Sequence, residues 1–210
     1  KPAGTLYENV RGVYKKNENE KKVNLMCKDL SEKIFKGKCS NGGKERKLFL
    51  SAITPDGIVN FANKTLKNKK LFVLDSFCGD ASADIMSHLK NEAKERGFDT
   101  ECFYCPLSPY LKTDHIIIPE LDVAVSVSNS YHINGLDAKE YDVSECYPGG
   151  VDNLKVSKIM MAADEIISGC TENLNRARAL HSELEKYYID AMNYVKLNEY
   201  TDKITENVKI

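Results

Sequence analysis

The sequence contains no apolar run of the length that crosses a membrane. A spanning helix needs about 20 consecutive apolar residues, and the longest apolar stretches here lie near 116–118 and 121–127. The chain also lacks an initial Met and the basic, apolar and small-residue pattern of a secretory signal. These absences predict a cytoplasmic protein without a membrane partner, in a sequence that continues a longer polypeptide.

The cysteines form neither a disulfide framework nor a metal site. They number seven, an odd count at irregular spacing, which is typical of reduced thiols. Cys102 and Cys105 have the spacing of a redox pair, but they fall on a predicted strand that points them to opposite faces, so we predict structural cysteines. No second cysteine pair completes a tetrahedral zinc site, and the four histidines show no ligand spacing. A G-x-S-x-G motif is absent as well, which argues against a serine hydrolase.

Charge is present in balanced amounts but unevenly distributed. The chain has 210 residues, of which 42% are hydrophobic and 29% charged, which indicates a globular protein. Residues 1–70 hold 17 Lys and Arg against 7 Asp and Glu, whereas residues 71–210 hold 13 against 24. Such asymmetry marks either a nucleic-acid surface or two segments that attract each other. Because the basic segment has few aromatics and contains acids, we predict docking on the acidic C-terminal helical arm in preference to nucleic acid, and a solvated Lys-rich helix is the simpler alternative.

The predicted elements describe an α/β core with helices before and after it. In the N-terminal segment Val23, Met26, Leu30 and Ile34 lie on one helical stripe. Strands alternating with helices then indicate β-α-β units and a mainly parallel sheet. We predict strands within 48–54, 70–75, 98–104 and 116–127, the last broken by Pro119 into one or two, and helices within 58–66 and 80–96.

The C-terminal part has a helical pattern of its own. From Ile159 to Tyr194 apolar residues recur every three or four positions, which predicts a helical hairpin or a long arm of about 55 residues. We expect it to pack on the core or on the N-terminal helix, and a partner-binding coiled coil is the alternative. The polar stretch 129–152 is predicted to be a connecting loop. The predicted organisation is a basic helical leader (1–44), a core (45–150) and a helical arm (151–210).

A faint internal repeat aligns residues 24–34 with residues 198–208 without a gap. Asn24 matches Asn198 and Glu32 matches Glu206, and three further positions are similar. A tandem duplication would produce such a pair, and the leader would then be the tail of a preceding copy. A chance match is the alternative.

The predicted strand Leu-Phe-Val-Leu-Asp and the helix after it have the order of a phosphate-loop unit. A working loop of the form G-x-x-x-x-G-K-[ST] needs glycines for the backbone, a Lys for charge and a hydroxyl for Mg²⁺. All four positions are substituted here, although one glycine, Gly79, remains between them. The residues at the four positions are Ser76, Ala81, Ser82 and Ala83.

The chain resembles the C-terminal half of a bacterial family of tandem P-loop ATPase-like proteins from low-GC, spore-forming lineages. Four blocks carry the resemblance, in the order LFLSAITPDGIVNF, ERGFDTECFYC, DHIIIPELDVAVS and ARALHSELEKYYIDAMNYVKLNE. It covers about residues 22–208 and implies a P-loop NTPase-like three-layer domain, whose partner is the preceding P-loop half of the same polypeptide. The family's loop resembles G-x-P-G-T-G-K-S-T, and an acid stands where this sequence has Val127. The ATPase residues of the family are thus replaced in this chain.

Two acids oppose a phosphate further. Asp80 and Asp84 lie at the start of the predicted helix, where a carboxylate repels a phosphate and can cap the free N–H groups itself. Loss of the loop Lys alone weakens phosphate binding by about one to two powers of ten. If a nucleotide is still bound, its contacts are expected at seven residues: Ser76, Gly79, Asp80, Ala81, Ser82, Ala83 and Asp84.

We therefore predict a domain that keeps the fold of an ATPase without its hydrolysis, with no cofactor, and that regulates or scaffolds an active half. Its arm is a candidate surface for another protein. The alternatives are an active ATPase that binds ATP and Mg²⁺ with an atypical loop, and a nucleic-acid-binding module that uses the basic leader. Glu120 and His132 are further site candidates, because ligands of α/β proteins gather near strand ends.

Overall fold

The computed structural model describes residues 2–37, 42–77, 80–131 and 137–207. Its helices are α1 (Pro2–Lys15), α2 (Glu20–Ile34), α3 (Ala62–Leu66), α4 (Ser82–Glu95), α5 (Asn153–Ala191) and α6 (Tyr194–Asn207). Its strands are β1 (Glu45–Leu48), β2 (Ser51–Thr54), β3 (Gly57–Asn60), β4 (Lys70–Asp75), β5 (Thr100–Tyr104), β6 (Thr113–Ile118), β7 (Val123–Ser128) and β8 (Lys139–Asp142). Short 3₁₀ helices lie at Pro119–Leu121 and Val143–Cys146.

Six strands form one sheet in the order β1-β5-β6-β7-β4-β8. β4 lies between β7 and β8 and runs parallel to both, and β1 runs parallel to β5. β6 is antiparallel to both of its neighbours, so five strands point one way and one points the other. The predicted α/β class with a mainly parallel sheet is therefore confirmed, whereas the P-loop NTPase identity stays a prediction.

Helices cover the two faces of this sheet unequally. On one face, Phe72 of β4 and Ile116 of β6 belong to a large core shared with α2 and α4. On the other face, Leu71 and Ile117 belong to a smaller cluster that includes residues of the five-residue helix α3. Neighbouring residues of one strand enter opposite clusters because side chains alternate along a strand. This burial on both faces explains the continuous apolar runs at 71–74 in β4 and 116–118 in β6.

The segment after Lys47 differs from its prediction. In place of one strand, a turn and a helix, the chain forms β1, a separate two-stranded hairpin β2–β3 and the short helix α3. The hairpin turns at Pro55 and Asp56, and the Thr54 hydroxyl donates to the carbonyl of Gly57 at 2.8 Å. The apolar run after this turn is too short to distinguish the period of a helix from that of a strand. The helix expected within 58–66 is therefore wrong for Ile58 to Asn60, which lie in β3, and is confirmed for Ala62–Leu66.

β8 and the 3₁₀ helix Val143–Cys146 occupy part of the stretch that the sequence predicts as a long loop. β8 has the sequence Lys-Glu-Tyr-Asp and pairs with β4 at the edge of the sheet. Polar side chains are common on edge strands and carry no apolar alternation. The loop prediction is therefore wrong for these residues.

The leader contains two helices, of which the sequence predicts the second. α2 buries Val23, Leu30 and Ile34 and packs on α4. Its N-terminus is capped by Asn19, whose side chain accepts the Lys22 N–H at 3.2 Å. α1 lies outside the prediction and packs on α5. α1 thus packs on the arm through apolar residues, while its cations Arg11 and Lys15 engage Asp84 of α4, and α2 docks on the core.

The arm is helical in α5 and α6, but only its beginning is buried against the rest of the molecule. Further along α5 two exposed contacts reach the turn between β2 and β3: Arg178 pairs with Asp56 at 3.1 Å, and the Asn175 side chain donates to the Pro55 carbonyl. α5 buries Val156, Ala163 and Ile167 in clusters shared with α1. Every side chain from 172 to 206 is exposed, and we call residues 172–207 the distal arm. The packing expected for the whole apolar stripe therefore stops in the first half of α5. Across the described ranges, no helix combines the length and the apolar content that a membrane span needs.

Candidate functional site

The loop after β4 lies at the carboxyl ends of the parallel strands. Asp75 ends β4 and is paired in the sheet with Ser128 at the end of β7 and with Asp142 at the end of β8. The Ser76 N–H donates to the Ser128 carbonyl at 3.0 Å, which places the start of the loop beside β7. Ligands of α/β sheets bind outside this edge. The loop therefore has the position of a ligand site.

Asp80 supplies a carboxylate inside this loop. Its residue is 4% exposed. Oδ2 accepts the Phe77 N–H at 2.8 Å, and Oδ1 accepts the Ser82 N–H at 2.9 Å and the Ser76 hydroxyl at 3.1 Å. Burial raises the pKa of Asp80, and the hydrogen bonds from Ser82 and Phe77 oppose that rise. Both oxygens of the Asp80 side chain therefore accept donors of the loop at the N-terminus of α4.

Tyr147, which follows β8 in the chain, accepts a further hydrogen bond from the loop. The Ala81 N–H donates to the Tyr147 hydroxyl oxygen at 2.7 Å. The ring of Tyr147 lies edge-on to Tyr14 of α1, with centroids 5.1 Å apart. Burial raises the pKa of Tyr147, so its hydroxyl stays neutral. With Asp80, this residue engages the backbone N–H groups of 77, 81 and 82 within the protein.

Asp84 has a different role from Asp80. Its Oδ1 lies 2.5 Å from Nη2 of Arg11, and its Oδ2 lies 3.3 Å from Nζ of Lys15, both in α1. These groups are partly exposed, so each pair contributes on the order of 1 kcal/mol or less. The expected capping of the helix by an acid therefore holds for Asp80 alone, because the cations of the leader engage Asp84.

The positions of the phosphate-loop Lys and hydroxyl face the interior. Ser82 is fully buried, and its Oγ lies 3.1 Å from the Oγ of Ser76. Ala83 is buried and borders a small cavity of about 50 Å³ beside Tyr7 and Leu107. Among the described residues, neither of these two lines the open clefts next to the loop. They do not present a cation or a Mg²⁺ ligand there.

The clefts beside the loop are acidic. One has a volume of about 470 Å³ and is lined by Asp75, Asp80 and Asp142 among others. The next, of about 890 Å³, is lined by Asp75 and Asp164. None of the described residues that line either cleft is Lys or Arg. Like charges repel more strongly in a cleft than in open water, so this lining opposes a triphosphate.

The remaining site candidates do not join the loop. Glu120 lies in the 3₁₀ helix between β6 and β7, and β7 starts beside Lys70, the first residue of β4. Glu120 is therefore at the opposite end of the sheet, because β6 runs antiparallel to its neighbours. Gly79 and His132 fall outside the described residues. Sequence reasoning does not find Tyr147 or Arg11, since neither belongs to a local motif.

The buried cysteines Cys102 and Cys105 have thiols of low reactivity. Burial raises the pKa of Cys102 to about 11 and that of Cys105 to about 12, so both thiols stay protonated at neutral pH. Cys102 lies in β5 and Cys105 follows its last residue. Within the described ranges, no three potential metal-ligating side chains of His, Cys, Asp or Glu lie together.

No protein family matches the chain, and comparisons with curated proteins and with solved structures also give no match. The fold and the hydrogen bonds of the loop therefore carry the functional interpretation. The resemblance to tandem P-loop ATPase-like proteins stays a prediction from the sequence.

Proposed function

We propose that this chain is a degenerate P-loop NTPase-like domain that does not hydrolyse ATP and that serves as a regulatory or scaffolding half of a tandem protein. The observation that carries the proposal is the carboxylate of Asp80. It accepts the loop donors that a phosphate would need, and it does so from a buried position.

The free energies support this proposal. A phosphate bound at the loop would have to displace Asp80 from Phe77 and Ser82, and Tyr147 from Ala81. Each hydrogen bond to a charged group contributes about 1.5–3 kcal/mol. The loop Lys that would compensate for this loss is replaced by Ser82.

The leader adds to the closure of the loop. Tyr14 packs on Tyr147, and Arg11 and Lys15 engage Asp84 at the start of α4. The docked helix α1 therefore contacts Tyr147, which engages the loop at Ala81, and the first turn of α4 at Asp84. A domain whose loop is held in this way is suited to a structural role, and the distal arm offers the surface for it.

A titration of the full chain with ATP, with and without Mg²⁺, tests the proposal through the melting temperature. A ligand that binds only the folded state raises stability by RT ln(1 + [L]/Kd). We expect no change at millimolar ATP. A Mg²⁺-dependent rise of several degrees would contradict the proposal and favour the active ATPase.

The matched variant is Asp80→Asn, which keeps the size of the side chain and removes its charge. If Asp80 is what excludes phosphate, any rise in melting temperature with ATP is larger in this variant than in the natural chain. An equal rise in both proteins would show that Asp80 does not block the loop.

A further inference from the structure

The distal arm repeats the leader helices position by position. The register that aligns Asn24 with Asn198 extends without a gap to residues 2–34 and 176–208. In this register α1 falls on the end of α5, and α2 falls on α6. The second helix begins at the same position in both copies, since Glu20 opens α2 and its counterpart Tyr194 opens α6.

Both second helices are capped by the same residue. The side chain of Asn19 accepts the Lys22 N–H at 3.2 Å, and the side chain of Asn193 accepts the Lys196 N–H at 3.1 Å. Asn is among the strongest N-cap residues, so it fixes where the helix starts. The likeness therefore goes beyond the apolar period that any two amphipathic helices share.

Most of the positions that the leader helices bury keep their character in the distal arm, although Tyr7 is replaced by His181 and Cys27 by Thr201. Leu30 is fully buried, and its counterpart Ile204 is 64% exposed. Val10 is fully buried, and its counterpart Leu184 is 52% exposed. Four further pairs match in type: Ala3 with Ala177, Tyr14 with Tyr188, Val23 with Leu197, and Ser31 with Thr205.

We propose that the distal arm is a second leader, which docks on another α/β core of this architecture. In the docked state α6 lies against the helix that corresponds to α4, and the end of α5 lies against the helix that corresponds to the first half of α5. Docking covers an apolar stripe whose exposure is otherwise costly. This inference rests on the scaffolding role proposed above and names the class of partner.

One position indicates how the shape of the partner core differs from that of this chain. Gly4 packs so closely that a Cβ there would meet the carbonyl oxygen of Leu107 at 2.3 Å. Its counterpart in the arm is Arg178, which pairs with Asp56 of this chain at 3.1 Å and would have to leave that exposed pair on docking. The partner core must therefore have more room at the place that Leu107 occupies here.

A second position indicates how the charge of the partner core differs. Arg11 pairs with Asp84, and the counterpart of Arg11 in the arm is Glu185. Two carboxylates at that distance repel each other. The partner core therefore has no acid at the position of Asp84, and a cation there complements the arm. A second copy of this chain meets neither condition, so the partner is a related but different core.

A pair of chimeras of the full chain tests this docking. In the first, residues 2–34 are replaced by the sequence 176–208 with Arg178→Gly and Glu185→Arg, which removes the steric mismatch at Gly4 and the charge mismatch at Arg11. In the second, the replacement is the sequence 178–210 with the same substitutions. This shift of two residues turns the apolar stripe of each helix away from the core, while the composition stays similar. We expect the first to melt within about 10 °C of the natural chain and the second at least about 10 °C below the first.

Chimeras of equal stability, folded or unfolded, would overturn the proposal. Ile204→Asp provides a second measurement. In the first chimera the substitution is made in the transplanted copy, where this isoleucine takes the place of Leu30, and we expect the melting temperature to fall. In the natural chain the substitution is made at residue 204, and we expect the melting temperature to stay unchanged. The ATP titration involves the loop and these chimeras involve the helices, so this inference and the loss of ATP hydrolysis can fail separately.

Discussion

The leader helices and the distal arm are built alike but lie in different surroundings. Each is a pair of helices joined at an Asn cap and marked by one apolar stripe. The first pair is buried against α4 and α5, and the second is exposed to solvent. An apolar stripe therefore specifies a helix and its inner face, but not what covers that face. The fit at Gly4 and Arg11 determines which pair this core accepts.

The largest difference between the two regions is expected from shortening one stripe residue in each. Leu30→Ala leaves a cavity between α2 and α4 and should lower the free energy of unfolding by about 2–5 kcal/mol. Ile204→Ala, at the matching exposed position, should change it by less than about 0.5 kcal/mol. Urea unfolding of both variants measures the contrast. Equal losses would mean that the distal arm is packed in solution.

A pair of glycines in α1 sharpens the steric part of the comparison. Gly4→Ala places a Cβ against the carbonyl of Leu107 and should cost about 1–3 kcal/mol. Gly12 has open space around a Cβ, so Gly12→Ala should stabilise the helix by about 0.5–1 kcal/mol. Thermal melting should move in opposite directions for the two variants. A shift in the same direction would contradict the close approach at Gly4.

Removing the N-cap of α2 and that of α6 should distinguish a loss of global stability from a loss of local stability. Asn19→Ala removes the cap of a docked helix and should lower the free energy of unfolding by about 1 kcal/mol. Asn193→Ala removes the same bond from α6, where fraying of an exposed helix leaves the core intact. Hydrogen exchange should therefore rise only in 194–207 for the second variant. A matching loss of global stability would show that α6 supports the core.

The smallest change in stability is expected from lowering the pH. Burial raises the pKa of Glu92 in α4, but the Ser31 hydroxyl and Arg96 outweigh it, so the pKa lies below its ordinary value. A lowered pKa gives stability that is present at neutral pH and is lost as the pH falls below about 4.5. The natural chain should exceed Glu92→Gln by about 0.5–1 kcal/mol at pH 7 and approach it at pH 3. An unchanged difference at the two pH values would contradict this linkage.

The elements that the sequence predicts are those with a local cause. β4 is a continuous apolar run, and α4 follows it with a regular stripe, so both are predicted close to their bounds. The capping carboxylate of Asp80 is also local, since its partners Phe77 and Ser82 are neighbours in the chain. Tyr147 reaches the same loop from 66 residues away, and no sequence pattern indicates such a contact. β8 escapes prediction because an edge strand does not need apolar residues.

The exposure of the distal arm also has no local signal. Its stripe has the same period as the stripe of α2, so the sequence predicts packing for both. The two stripes differ in their surroundings: the leader helices find a complementary surface on α4 and α5, and the shape and charge of that surface come from several elements. A repeat of two identities in a short window becomes informative only when the helix bounds and the caps are known to coincide.

Because β4 lies between β7 and β8, the order in which the chain leaves the ribosome differs from the order in which it can fold. Lys70 pairs with Val123 and Phe72 pairs with Lys139, so β4 is made long before either neighbour. Pairing over such separations slows folding and leaves an apolar strand open in the meantime. The leader helices are synthesised earlier still, and the surface on which they pack is missing until α4 and α5 have formed. In the part of the chain that the structure describes, the distal arm reaches the core only through exposed contacts such as those of Asn175 and Arg178, so its helices can form as soon as they are synthesised.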